Sequence, residues 1–164
     1  MNEGAMQERI VLCRTPDEIQ ALLERFHMVL PSLKRGKAFR AAMAEKFFQH
    51  GKVVFIPEDG RAVGFAAFYC NDHVERKGYL SMIAVYPDMQ GKGCGKELLT
   101  YVEHTAKDCE MRTVWLEVSK ANGSARSFYR KNGYVPVEMR PESMICAKKL
   151  ENASDEWTED THDV

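Results

Sequence analysis

Residues 85–99 read VYPDMQGKGCGKELL, and this stretch decides the fold of the chain. An apolar strand ends at Val85, a turn with three alternate glycines follows, and an amphipathic helix begins at once. Alternate glycines allow several backbone N–H groups to crowd toward one point. The helix N-terminus behind them adds about half a positive charge. The stretch therefore predicts a cradle for phosphate oxygens.

Two common phosphate-binding loops do not fit the spacing of these glycines. A Walker loop has glycine at the position of Gln90 and Ser or Thr at the position of Glu97. A dinucleotide-binding fingerprint has its third glycine where this chain has Lys96. The pattern that remains is Gln-x-x-Gly-x-Gly over residues 90–95.

This pattern resembles the pyrophosphate loop of the GNAT superfamily, the acyl-CoA-dependent N-acetyltransferases. A second segment, residues 115–134, reads WLEVSKANGSARSFYRKNGY and strengthens the resemblance. In that family a Leu-Glu-Val-like strand leads to an Asn, a helix with Phe/Leu-Tyr follows, and Gly-Phe/Tyr opens the next strand. The matching residues are Glu117, Asn122, Phe128, Tyr129, Gly133 and Tyr134. The resemblance is specific from Leu80 to Val135 and consistent from Ile10 to Leu150.

Apolar periodicity and turn signals predict the element order β-α-α-β-β-β-α-β-α-β-β, an α/β fold with a mixed sheet. Thr15 followed by Pro16 is typical of a helix start. Asp59-Gly60 predicts a hairpin turn. A helix over residues 37–50 is predicted to point four residues inward: Phe39, Ala42, Met43 and Phe47. The resemblance adds that the central strands splay apart and that pantetheine lies in the gap.

The composition and charge of the chain limit the classes of protein to which it can belong. The chain has 164 residues, 45% apolar and 29% charged, as in a one-domain globular protein. No apolar stretch approaches the roughly 20 residues of a membrane span, and the N-terminus shows no signal-peptide pattern. The five cysteines are an odd number and form no C-x-x-C, which disfavours a disulfide framework or a metal site. We expect a cytoplasmic protein with reduced thiols, no metal and no membrane partner.

The charge is distributed unevenly between residues 1–150, the predicted acetyltransferase domain, and an acidic tail over residues 151–164. The tail carries six of the 24 acidic residues and no Lys or Arg, and its composition predicts disorder. The remaining 18 acidic residues face 23 basic ones, a body of +5. Such a body suits a polyanionic CoA ester. It is too mildly basic to favour nucleic-acid binding.

The resemblance implies that acetyl-CoA is the co-substrate and that two segments and one later residue bind it. The main chain of the strand before the turn would pair with pantetheine, and the turn would hold the pyrophosphate. The implied residues are Ile83, Ala84, Val85, Gln90, Gly91, Lys92, Gly93, Cys94, Gly95, Lys96 and Asn122. Cys94 is either a small apolar filler or a thiol whose pKa the helix N-terminus lowers.

The resemblance also implies two catalytic residues, Tyr129 and Glu117. Ribosomal-protein N-terminal acetyltransferases within the family carry a similar Leu-Glu-Val, Asn and Tyr run, in which Glu is the base and Tyr the acid. Here Tyr129 would protonate the departing CoA thiolate, and Glu117 would take the proton of the amine. The alternatives are a packing role for Tyr129 and a solvent-side or structural carboxylate at Glu117, with a water chain as base.

No residue in the sequence identifies the acceptor of the acetyl group. Arg35, Lys37, Arg40 and Tyr69 are candidate acceptor contacts, with a solvated basic helix face as the alternative. We expect a small-molecule amine because no large insertion is present to grip a peptide. A protein or peptide amine and a non-catalytic acyl-CoA-binding module remain alternatives. A homodimer would be usual for such a domain.

Overall fold

The computed structural model of the chain describes residues 9–151. The predicted acidic tail lies outside the described residues, apart from Glu151. The helices are α1 Pro16–Phe26, α2 Lys37–His50, α3 Cys94–Asp108 and α4 Gly123–Lys131. The strands are β1 Val11–Leu12, β2 Lys52–Glu58, β3 Arg61–Asp72, β4 Lys77–Val85, β5 Thr113–Ser119, β6 Val135–Met139 and β7 Ser143–Lys149. Short 3₁₀ turns cover Pro31–Arg35 and Pro87–Met89. The predicted α/β element order is confirmed.

The strands form one mixed sheet in the order β1-β2-β3-β4-β5-β7-β6. Every neighbouring pair is antiparallel except β4 and β5, which are parallel. The β4–β5 ladder runs from Lys77 opposite Thr113 to Leu80 opposite Leu116 and then stops. Both strands continue beyond that point, so the predicted splay of the central strands is confirmed.

Two groups of buried side chains pack on the two faces of the sheet. On one face, α3 lies over the sheet through residues such as Leu98 and Val102, as the sequence predicts. On the other face, α1 and α2 cover β2, β3 and part of β4, with Phe26 and Phe47 fully buried. Within residues 9–151, no helix combines the length and the apolar character that crossing a bilayer requires.

The local turn signals of the sequence have the expected geometry. The Thr15 hydroxyl accepts a hydrogen bond from the Glu18 N–H at 3.1 Å and caps α1. Asp59 and Gly60 both have positive φ, 51° and 77°, which is the backbone of a two-residue hairpin turn. These residues fix the register of β2 against β3.

The predicted inward face of α2 is partly wrong. Ala42 is exposed, whereas Ala44 and Arg40 are buried. The Arg40 guanidinium donates a 2.7 Å hydrogen bond to the Leu33 carbonyl and lies 2.9 Å from a Glu24 carboxylate oxygen. Arg40 is turned inward because it joins α1, α2 and the turn between them, a set of partners that helical periodicity alone does not reveal.

A buried ion pair anchors the start of α3. Glu97 is only 7% exposed, and both its oxygens accept 2.8 Å hydrogen bonds from the Arg9 guanidinium. Because bidentate guanidinium–carboxylate pairs have a fixed geometry, this contact holds the first turn of α3 against the chain segment before β1. No sequence pattern indicated this pair, since its members are 88 residues apart.

We expect Arg9→Ala to lower the free energy of unfolding by about 1–3 kcal/mol, because it leaves the buried Glu97 carboxylate without its guanidinium. The matched control is Arg61→Ala, which removes an exposed ion pair with Asp88 and should cost less than about 1 kcal/mol. Urea unfolding of both variants measures the difference. Equal losses would contradict the structural role of Arg9.

Candidate active site

A cavity of about 760 Å³ opens where β4 and β5 separate. Its walls come from the end of β4, the glycine turn, the start of α3, the end of β5 and α4. Beyond Leu80 and Leu116, the facing backbone groups of the two strands are not paired with each other. The cavity therefore presents main-chain donors and acceptors to whatever lies between the strands.

The glycine turn lines the cavity through Gly91, Gly93 and Gly95. Gly91 and Gly93 have φ of 81° and 88°, a left-handed conformation that side-chain-bearing residues rarely adopt. Gly93 is the N-cap of α3 and has no side chain with which to cap it. The first N–H groups of a helix have no partner within the helix, so they remain available to an anion here.

The side chain of Gln90 closes the turn. Its Nε2 atom donates a 3.0 Å hydrogen bond to the carbonyl of Val85, the last residue of β4. On the opposite wall, Asn122 Oδ1 accepts a 3.0 Å hydrogen bond from the Ala125 N–H and caps α4. A Cβ added at Gly95 would lie 3.4 Å from the Phe128 ring, in van der Waals contact, so this part of α3 faces α4 directly.

The structure brings almost all of the sequence-predicted site residues to this cavity. The lining residues among them are Ile83, Ala84, Val85, Gln90, Gly91, Gly93, Cys94, Gly95, Lys96, Glu117, Asn122 and Tyr129. Lys92 is the exception, because it does not line the cavity and its ammonium lies 3.9 Å from the Met89 sulfur.

Cys94 lies beneath the glycine turn, 2% exposed, among the core residues of α3. The Arg9 guanidinium donates a long 3.8 Å contact to its sulfur. Its burial and apolar neighbours favour the filler interpretation of this residue over a reactive thiol.

Tyr129 is on the cavity side of α4 and is 8% exposed. Its ring packs edge-on against Phe128 and Tyr134, with centroids 5.3 and 5.7 Å away. Burial raises the pKa of Tyr129 to about 12. The phenol is therefore protonated across the whole neutral and mildly alkaline range.

Glu117 lines the same cavity from β5, with its side chain 38% exposed. As alternation predicts, it is on the face opposite the buried Leu116 and Val118. One of its carboxylate oxygens accepts two hydrogen bonds. The first comes from the Ser143 hydroxyl, and the second, 3.2 Å long, comes from the Arg140 guanidinium. Sequence reasoning missed both partners, because the β6–β7 hairpin brings them across the sheet from 23 and 26 residues away.

None of the four predicted acceptor contacts lines this cavity. The prediction for Arg40 is wrong, because its side chain is buried in the contact between α1 and α2. Arg35 stacks on the Phe39 ring at 4.1 Å, and neither Arg35 nor Lys37 lines the cavity. The cavity wall near α1 is instead formed by residues 29–32, which lead from α1 into the 3₁₀ turn. Tyr69 lies in a separate groove on the sheet.

No three His, Cys, Asp or Glu side chains come together as a potential metal site anywhere in residues 9–151. The ionisable side chains that line the cavity include the Glu117 carboxylate, the Tyr129 phenol and the Lys96 ammonium.

The sequence profile of the acetyltransferase (GNAT) family matches residues 17–134. The chain belongs to this family. The match extends from α1 to the start of β6, so it includes both the glycine turn and α4.

Two curated relatives and one solved structure illustrate the GNAT likeness. A ribosomal protein bS18-alanine N-acetyltransferase from Haemophilus influenzae is 37% identical over 83 residues, 51% of this chain and 54% of that protein. A mycothiol acetyltransferase from Thermomonospora curvata is 30% identical over 95 residues, 58% of this chain and 31% of that protein. The chain thus spans about half, or less, of the length of these two relatives.

The solved structure is PaiA N-acetyltransferase from Thermoplasma acidophilum in complex with coenzyme A. It superimposes with a TM-score of 0.67 at 19% identity and covers 85% of this chain and 98% of that chain. At this identity the likeness establishes the GNAT fold.

We expect iodoacetamide to alkylate Cys109 well before Cys94 in the folded protein, because Cys109 is partly exposed and Cys94 is buried. Peptide mapping by mass spectrometry at several times measures both rates. Faster alkylation of Cys94 would contradict its burial, and equal rates after unfolding in urea serve as the control.

Proposed function

We propose that this GNAT-family protein transfers an acetyl group from acetyl-CoA to a primary amine, by direct attack in a ternary complex. One observation carries the proposal: a single cavity joins an anion-binding turn, a gap between two strands, a phenol and a carboxylate. These are the parts that an extended thioester with a pyrophosphate and a reacting carbonyl requires.

The binding of acetyl-CoA would use mainly the backbone. The N–H groups of residues 91–95 would hold the pyrophosphate, and the unpaired edge of β4 at Ile83–Val85 would hydrogen-bond pantetheine as a neighbouring strand does. The coenzyme A found in the Thermoplasma structure supports this assignment, because that protein shares the fold.

Glu117 would accept the proton of the attacking amine, directly or through a water. The α-ammonium of a peptide has a pKa of about 8, so only about one molecule in ten is nucleophilic near neutral pH. The Ser143 and Arg140 contacts both use the same carboxylate oxygen of Glu117. They orient the carboxylate while its other oxygen faces the amine in this mechanism.

Tyr129 would donate a hydrogen bond to the sulfur as negative charge develops on it. With a pKa of about 12, full proton transfer to a thiolate of pKa about 8.5 is uphill by roughly 5 kcal/mol. The phenol therefore acts best as a hydrogen-bond donor during C–S cleavage, with the proton completing its transfer as the amine loses its own. This role of Tyr129 differs from that of a general acid that readily gives up its proton.

For the acceptor, we propose the α-amine of a peptide or protein, in place of the small molecule that the sequence favoured. The name of the Haemophilus relative supports this choice, because that protein acts on an alanine of a ribosomal protein. The open sheet face beside Glu117 also leaves room for a chain beyond the amine. A small-molecule amine is the second candidate, supported by the mycothiol acetyltransferase relative.

We expect Gly93→Ala to weaken acetyl-CoA binding at least tenfold, because a side chain opposes the left-handed backbone that aims the N–H groups. The matched control is Gly60→Ala, whose φ of 77° imposes the same strain in a hairpin turn outside the cavity. Both variants should lose about 1 kcal/mol of stability, and only Gly93→Ala should lose affinity. Calorimetric titration with acetyl-CoA separates them, and equal affinities would refute the cradle.

We expect Tyr129→Phe to lower kcat roughly 10- to 1,000-fold while acetyl-CoA affinity changes little. Thiol release from acetyl-CoA, followed with an amine and peptide panel, measures kcat. Because the pKa of Tyr129 is raised to about 12, deprotonation of this phenol should cause no loss of wild-type activity up to pH 10. An unchanged kcat in the variant would remove Tyr129 from the mechanism.

We expect Glu117→Gln to flatten the rise of kcat/KM with increasing pH, since the amide cannot accept the amine's proton. Glu138→Gln is the control, because Glu138 contacts the same arginine at 2.9 Å but does not line the cavity. A pH profile of Glu117→Gln that matches wild type would assign the base to a water chain.

A further inference from the structure

A second groove, of about 650 Å³, lies on the same face of the sheet as α1 and α2, beside the part that these helices cover. We call it the aromatic groove and define it by Tyr69, Tyr79, Trp115, Val137, Arg140 and Ile145. Its other lining residues include two acids, Asp72 and Glu138, while its bases are Lys77 and Arg140. Because these charges balance, the apolar floor decides what the groove can bind.

The floor of the aromatic groove is formed by residues that lie directly opposite one another on neighbouring strands, in one row across the sheet. Tyr69 pairs with Tyr79, Tyr79 with Trp115, and Trp115 with Ala147. Side chains at directly paired positions are on one face. The Trp115 ring is held in place by a 2.8 Å hydrogen bond from its Nε1 to Thr113 and by the Lys77 ammonium 4.0 Å from its centroid.

One polar group of this row has no partner. The Tyr69 hydroxyl is buried and makes no hydrogen bond within residues 9–151. A buried hydroxyl without a partner is costly. Because this oxygen is shielded from the surface, a ligand in the groove would contact the Tyr69 ring and not its hydroxyl.

The aromatic groove is separate from the cavity but adjacent to it at Glu117. The next row on the same face holds Glu117 opposite Ile145, and Ile145 lines the groove. Arg140 also lines the groove and contacts Glu117 at 3.2 Å. The pKa of Tyr79 is raised by burial and by the Glu117 charge, which agrees with this proximity.

We infer that the aromatic groove is a subsite for the acceptor peptide, in which the third residue from the reacting amine packs on Tyr79, Trp115 and Val137. This inference rests on the proposed function and deepens it. Trp115 is two residues from Glu117 along β5, about 7 Å, and an extended peptide advances about 3.3 Å per residue. A chain whose first amine is at Glu117 therefore places its third residue over the aromatic row, with a preference for a bulky apolar side chain.

The test compares acetylation of alaninamide, Ala-Gly-Gly-amide and Ala-Gly-Phe-amide. In wild type, the phenylalanine peptide should have a kcat/KM about tenfold above the glycine peptide, the change expected from partial burial of an aromatic ring. Val137→Asp should abolish this preference, so that the two peptides have equal kcat/KM. Val11→Asp is the matched control, since Val11 is similarly exposed, 41% against 47%, but is on β1 at the far edge of the sheet.

A second readout does not depend on turnover. The chain has two tryptophans, Trp115 and Trp157, so Trp157→Phe leaves Trp115 as the sole emitter. With saturating CoA, Ala-Gly-Phe-amide should change the fluorescence of Trp115 saturably, and alaninamide should not. Val137→Asp in this background should weaken the peptide response.

The outcomes separate the inference from the proposed function. Equal kcat/KM for alaninamide and both peptides, or acetylation of another small amine alone, would overturn the peptide subsite and leave the transferase intact. Acetyl-CoA binding with no acetylation of any amine would overturn the proposed function. A phenylalanine preference that Val137→Asp removes and Val11→Asp retains supports the subsite.

Discussion

The parallel ladder between β4 and β5 stops at Leu80 and Leu116, and the rest of the site is arranged around that interruption. A sheet interior normally satisfies every backbone N–H and C=O, yet here two strands run on without pairing each other. The gap they leave is held open from both sides, by α3 behind the glycine turn and by α4 behind Asn122. Because β7 pairs with the whole length of β5, the separated strand keeps its shape without β4.

Much of this arrangement follows from local sequence signals. Several of these features depend on only a few consecutive residues. They are the glycines with positive φ, the helix caps at Thr15 and Asn122, and the alternation around Glu117. Such features are encoded by backbone sterics and short-range hydrogen bonds, so the element order and most of the cavity lining could be predicted. The resemblance to one family placed those pieces in a known topology.

The features that could not be predicted are contacts between distant parts of the chain. Arg9 contacts Glu97, and Arg40 contacts Leu33. The two buried members, Glu97 and Arg40, place charged groups in the interior, against the ordinary expectation for charged residues. The contacts of Ser143 and Arg140 with Glu117 depend on how the β6–β7 hairpin folds across β5. The register that decides these pairs is fixed only once the sheet forms, so no single segment carries the signal.

A crystal structure with acetyl-CoA bound would show whether the coenzyme occupies the gap between the strands. We expect the pyrophosphate on the backbone N–H groups of residues 91–95 and pantetheine between β4 and β5. The thioester would then lie between Tyr129 and Glu117. Density for the coenzyme elsewhere on the surface, or a pantetheine arm that leaves the gap between the strands empty, would contradict the account.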